Sequence, residues 1–130
     1  MVVDSSALLS ILLNEDDRER YAQALDSDED RFMSTATFVE ASIVIEKRRG
    51  SEGLFALDQL ITRSSIELIP VDVGQAYRAR SAYRLYGKGR HPAALNLGDC
   101  FAYALASTLK EPLLFKGNDF SRTDLDIVAI

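Results

Sequence analysis

Four acidic residues, Asp4, Glu40, Asp99 and Asp119, stand where a folded chain could assemble them for chemistry. Asp4 closes the apolar run Met1-Val2-Val3, and Glu40 falls in the first turns of a helical pattern that follows a second short run. Asp99 opens an apolar helix, and Asp119 comes shortly after Leu113-Leu114-Phe115. Two carboxylates about 5 Å apart repel by roughly 3 kcal/mol at an effective dielectric near 20, so a cluster of them needs protons or a cation. A hard divalent ion with oxygen ligands answers that need, with Mg2+ the first choice and Mn2+ the alternative. Zinc would want nitrogen or sulfur donors, and the chain has one histidine and one cysteine.

Each acid also has an ordinary local explanation. Asp4 suits a helix cap, and Thr37-Phe38-Val39-Glu40 has the spacing of a capping box. Asn96-Leu97-Gly98-Asp99 pairs a capping asparagine with an acid that favours a helix N-terminus, and Asp119 suits a turn. What sets the four apart is the order of elements around them.

Short apolar runs alternate with helical periodicity along the whole chain. Strands are expected at 1–3, 31–34, 66–71, 113–115 and 127–130. Helices are expected from Ser5-Ser6 onward, then at 16–25, 35–49 (stopped by Gly50), 52–63, 73–86 and 98–109, the last apolar all round and therefore buried. Pro70 ends the third strand. The pattern predicts a single α/β domain over 1–130, a three-layer α/β/α sandwich around a mainly parallel sheet of four to five short strands. In such sheets ligands bind off the carboxyl ends of the strands, which is the edge toward which all four acids would point.

Composition narrows the class. The 130 residues are 47% apolar and 27% charged, an ordinary globular balance without repeats or low-complexity segments. The longest apolar run, 7–13, is too short to cross a membrane, and no secretion signal is apparent, so a cytoplasmic protein is expected. One cysteine cannot form an intramolecular disulfide, and Cys100 reads as a small buried hydrophobe. The net charge of −5 argues against bulk attraction to nucleic acid. Its distribution is uneven: 15–30 carries eight acids and two arginines, while 73–98 carries no acid but Arg78, Arg80, Arg84, Lys88 and Arg90. That strip is either a solvated helix face or a guide for a phosphate chain, and Lys47-Arg48-Arg49 is the other basic cluster. Tyr77, Tyr83 and Tyr86 interleave with it, and His91 reads as a nucleic-acid contact or a surface residue.

Four segments together resemble a known family: Val2-Val3-Asp4-Ser5-Ser6-Ala7, Ser34-Thr35-Ala36-Thr37-Phe38-Val39-Glu40, Asn96-Leu97-Gly98-Asp99-Cys100-Phe101-Ala102-Tyr103 and Phe115-Lys116-Gly117-Asn118-Asp119-Phe120. In this order and spacing they resemble the PIN-domain ribonucleases, and within them the VapC toxins of bacterial toxin–antitoxin pairs. The resemblance implies that Asp4, Glu40, Asp99 and Asp119 form a catalytic metal site, with Asp119 its least strict member. It makes Ser6, Thr35, Asn96 and Asn118 secondary polar residues around that site. It implies a Mg2+-dependent endoribonuclease, a hydrolase that attacks an RNA phosphodiester with metal-activated water and leaves 5′-phosphate and 3′-hydroxyl ends. It further implies a homodimer and a small VapB-like antitoxin, assembled as a heterotetramer or larger.

Arg84, Lys88 and Arg90 are the candidate RNA contacts, and a stripe of Leu8, Ile11, Leu12, Tyr21 and Leu25 is the expected antitoxin seat. The competing readings are a DNA nuclease and a non-catalytic binding module on the same fold. A dehalogenase-type phosphatase is disfavoured because the aspartate it needs two residues after Asp4 is Ser6.

Overall fold

The computed structural model describes all residues, 1–130. Strands β1 (Val2–Val3), β2 (Arg31–Ser34), β3 (Ile66–Ile69) and β4 (Leu113–Leu114) form one parallel sheet in the order β3-β2-β1-β4. Helices α1 (Ser5–Leu12) and α2 (Arg18–Asp26) connect β1 to β2, and α3 (Thr35–Arg63) connects β2 to β3. Helices α4 (Val73–Tyr86) and α5 (Leu97–Leu109) then lead to β4 on the other side of β1. Strand order therefore reverses at β1, and the crevice between the ends of β1 and β4 is the topological switch point.

Side chains that alternate along a strand reach opposite faces of the sheet, and the two faces hold separate cores. Val3, Met33 and Leu114 join Leu8, Leu12, Leu25, Ile45 and Leu57 on the α1–α3 side. Val2 and Leu113 join Leu95, Leu105, Phe120 and the alanines of α4 and α5 on the other. The three-layer α/β/α arrangement follows from these two clusters.

Several details differ from the sequence reading. The helices expected at 35–49 and 52–63 run on as one element bent at Gly50, whose φ of 61° and ψ of −149° break the helical geometry at little cost only for glycine. Residues 127–130 form no strand: Ile127 makes a single parallel bridge to Leu113, so the sheet has four strands. Helix α5 starts at Leu97, one residue before the expected 98, and that residue is 74% exposed; within 98–109, Cys100 and residues 102–106 are buried while Thr108 is exposed. The stripe expected to seat a partner is instead core: Leu8, Leu12, Tyr21 and Leu25 are all buried and Ile11 packs against them. An apolar stripe has the same period whether it faces a partner or its own sheet, so periodicity cannot separate the two. No helix is long and apolar enough to cross a membrane.

Candidate active site

Asp4 leaves β1 and caps α1. Its Oδ2 accepts the Ser6 N–H at 3.1 Å and the Ser6 hydroxyl at 2.6 Å. Its Oδ1 is buried with no partner. A carboxylate only 3% exposed with one oxygen unsatisfied is costly to keep charged. Burial, opposed by the Ser6 bonds and reinforced by the Glu40 charge, pushes its pKa up to about 6.

Glu40 approaches from α3. The helix begins earlier than the Thr37 capping box predicts: Ser34 is the N-cap and accepts the Ala36 N–H, while Thr37 is buried in the first turns with its hydroxyl unpartnered. Glu40 therefore stands one turn or more inside the helix, where its side chain is not needed for capping. Its Oε1 accepts the Ser5 hydroxyl at 2.7 Å. Its carboxylate also lies so close to the Gly98 backbone that a Cβ there would collide with it. Neither Ser5 nor Gly98 stands out in the sequence as a site residue.

Asp99 comes from α5 and closes a capping box with Asn96. Asn96 Oδ1 accepts the Asp99 N–H at 2.8 Å, and Asp99 Oδ2 accepts the Asn96 N–H at 3.0 Å. Burial raises the Asp99 pKa to about 7 against the bond from Asn96, with further contributions from the charges of Asp4, Asp119 and Glu40. The four acids thus share one edge of the sheet and feel one another's charge. Asp119 is the outlying member, exposed at the head of the 3-10 turn Phe120–Arg122 with no side-chain capping bond.

Among the secondary polar residues, Ser6 bridges Asp4 and the Lys116 N–H, whereas Asn96 serves α5. Thr35 starts α3 half-buried, and exposed Asn118 contributes its backbone carbonyl to the Ser121 hydroxyl. Lys116 does not neutralise the four acids. Its ammonium pairs with Glu15 and, at 2.9 Å, with Asp17, which the bond from Lys116 holds below the usual carboxylate range. Cys100, next to Asp99, is buried, and its thiol pKa is pushed up to about 11 by that burial and by Asp99. His91 is half-buried, accepts the Ala93 N–H at 3.0 Å and meets Tyr86 edge-on, so it shapes its own loop instead of presenting a free ring.

Nowhere are three His, Cys, Asp or Glu side chains drawn tightly enough to make a ready-made chelate. The orphaned Asp4 oxygen, the all-oxygen donor set and the two upshifted carboxylates nonetheless fit a hard divalent cation, which would relieve all three conditions at once.

The remaining candidates lie along α4 and the loop after it. Arg84, Lys88 and Arg90 are exposed and, like Arg80, make no ion pair. Arg80 lies over the Tyr77 ring at 4.8 Å and Arg90 over Tyr83 at 5.5 Å. Arg84 sits apart with Ser81 and Leu85 around a separate, smaller hollow.

Comparisons with known proteins bear on the family and the fold. The family model described as "PIN domain" matches residues 1–125. The protein named Ribonuclease VapC30 of Mycobacterium tuberculosis is 50% identical over 130 residues, covering 100% of this chain and 99% of its own. The crystal structure of VapC20 from M. tuberculosis, described as a sarcin–ricin-loop-cleaving toxin, superposes with a TM-score of 0.81 at 14% identity, covering 99% of this chain and 98% of that one. A toxin–antitoxin complex from Klebsiella pneumoniae contains a chain with a TM-score of 0.68 at 21% identity, covering 95% and 92%. A family match across nearly the whole length, joined to a relative identical at half its positions, shows that the chain belongs to the PIN-domain family.

Proposed function

We propose that this chain is the toxin of a toxin–antitoxin pair, a Mg2+-dependent endoribonuclease that hydrolyses RNA phosphodiester bonds in the cytoplasm. The observation that carries the reading is the orphaned, buried Asp4 oxygen among mutually coupled acids, in a chain half-identical to proteins named ribonuclease. Asp4, Glu40 and Asp99 would hold the cation, with Asp119 at the rim. Bound there, a divalent ion supplies charge neutralisation at the phosphate and lowers the pKa of water.

The chain's own residues do the remaining work. Ser6 holds Asp4 through Oδ2 and leaves the buried Oδ1 without a protein partner, and Ser5 holds Glu40 through Oε1. The capping box commits Asp99 Oδ2 and leaves its other oxygen free. In the net reaction the water oxygen bonds phosphorus, the bond to the 3′ oxygen breaks, and that oxygen takes a proton to leave 5′-phosphate and 3′-hydroxyl ends.

A small antitoxin is the proposed protein partner, and a homodimer the proposed form of the toxin, assembled with antitoxin into a heterotetramer or larger. Exposed Val39, Ile43 and Leu97 border a groove of about 420 Å3 beside Glu40 and Gly98, a surface suited to an apolar helix that would cover the site.

The test is degradation of RNA and of single-stranded DNA with Mg2+, with EDTA, and by Asp4→Asn, Glu40→Gln, Asp99→Asn and Asp119→Asn variants. RNA cleavage should require the ion, fall to a small residue in the first three variants and decline less in the fourth. Full RNA cleavage by Asp99→Asn at ordinary Mg2+ would overturn the site assignment. Preference for DNA would return the reading to a DNA nuclease.

A further inference from the structure

We infer that the groove between α4 and α5 is a nucleotide subsite, which takes one unpaired base of the RNA next to the bond that is cut. The inference rests on the ribonuclease reading and adds to it the place on this chain where one base is held.

The groove encloses about 580 Å3, within the range of roughly 300–1,000 Å3 that small organic ligands occupy. Its walls divide by chemistry. Ala76, Ala79, Cys100 and Phe101 offer an apolar surface, and the Tyr83 ring borders it. Small residues on α4 facing Phe101 on α5 leave a space that a flat ring can enter. Tyr83 has its hydroxyl on the Lys88 carbonyl and the Arg90 guanidinium over its ring, so the aromatic wall is held in place from two directions.

The rim explains why the occupant is a nucleotide. Arg80 and Lys88 line the groove, and neither has an ion partner. They lie in the stretch 73–98, which contains no acid, within a chain of net charge −5. An apolar slot lined also by two cations without acidic partners complements a base attached to phosphates. Bases stack on aromatic and apolar faces while cations hold the backbone, which is how single-stranded RNA is commonly bound. Asn96 adds a polar edge: its oxygen is committed to the Asp99 N–H, and its amide nitrogen is free to donate.

Position sets the register. The groove is lined by Asn96, Leu97 and Cys100, the residues around Asp99 at the head of α5. A base seated there places its own phosphate within a nucleotide or so of the acid edge. Paired bases cannot enter, since a duplex keeps its bases stacked inside.

The test uses a short single-stranded RNA containing the cut site and a set of copies that each lack one base. Ala76→Phe fills the groove from an exposed position of α4, and Tyr83→Ala removes its aromatic wall. In the wild-type protein, one abasic position beside the cut should lower kcat/KM about tenfold, mainly through KM. Each variant should show a similar loss on intact RNA, an unchanged melting temperature, and no further loss at that abasic position. Uniform sensitivity across all abasic positions, or wild-type cleavage by both variants, would overturn the subsite and leave the groove to a protein segment. Failure of the wild-type protein to cut any RNA would overturn the ribonuclease reading itself.

Discussion

Lys116 and Ser6, 110 residues apart in the chain, are joined by a 2.9 Å bond from the Lys116 N–H to the Ser6 hydroxyl oxygen, and that hydroxyl donates onward to Asp4 Oδ2 at 2.6 Å. One serine therefore connects the loop that follows β4 to the buried acid that follows β1. Ser6→Ala should leave the Lys116 N–H unsatisfied and cost about 1–3 kcal/mol of stability. It should also release the Asp4 rotamer and weaken Mg2+ binding. Thermal melting with and without Mg2+ checks both, and a loss of stability with unchanged ion affinity would separate the two roles.

The raised carboxylates set a pH dependence for the metal-free protein. Asp4 and Asp99 hold protons up to about 6 and about 7 in the folded state, whereas in the unfolded chain they release them near 3.8. Between these limits the folded state binds more protons, so stability falls as pH rises from about 4 to about 7 and then levels. Asp17, held down by Lys116, acts in the opposite sense below that window. In EDTA the protein should melt higher at pH 5 than at pH 8, and Asp4→Asn with Asp99→Asn should remove most of the difference. Added Mg2+ should restore stability at pH 8, where both carboxylates are already ionised, and should release protons when it binds near pH 6.

Gly98→Ala probes the contact between α5 and Glu40. The added Cβ would collide with the tip of a movable side chain and not with backbone, so Glu40 should swing away while the fold holds. Cleavage should drop by an order of magnitude or more, for loss of a positioned charge of the kind worth about 3 kcal/mol in an active site. The melting temperature should stay close to wild type. A large loss of stability with full activity would show that Glu40 is not needed where it stands.

The basic strip predicts a salt signature. Replacing Arg80, Lys88 and Arg90 with alanine should flatten the plot of log K against log salt for single-stranded RNA by about 0.7 for each phosphate no longer neutralised. Arg84, apart from the groove, should contribute less than Lys88. An unchanged slope in the triple variant would mark the strip as solvated surface and move attention to Lys47 and Arg48.

The frame is readable because short apolar runs and helical periods alternate without interruption, and acids end or follow those runs. Asp4 illustrates why its ordinary and chemical readings need not compete: one carboxylate oxygen caps α1 while the other is left over. What stays hidden depends on contacts between distant segments. The Ser5–Glu40 bond, the approach of Gly98 to Glu40 and the pairing of Lys116 with Glu15 and Asp17 leave no local pattern in the residues. The α1–α2 stripe misleads for the converse reason, since its pattern is clear and its orientation is not.

The backbone after β4 folds back so that Leu113 N–H donates to the Asp126 carbonyl and Val128 N–H donates to the Leu113 carbonyl, both at 3.0 Å. That single bridge occupies groups of an edge strand that would otherwise be free to pair with another chain. A strand of two residues with both flanks engaged offers no template for sheet extension. The segment 126–128, which adds no strand to the sheet and no side chain to the acid cluster, therefore acts as a guard against aggregation at the edge nearest the reacting groups.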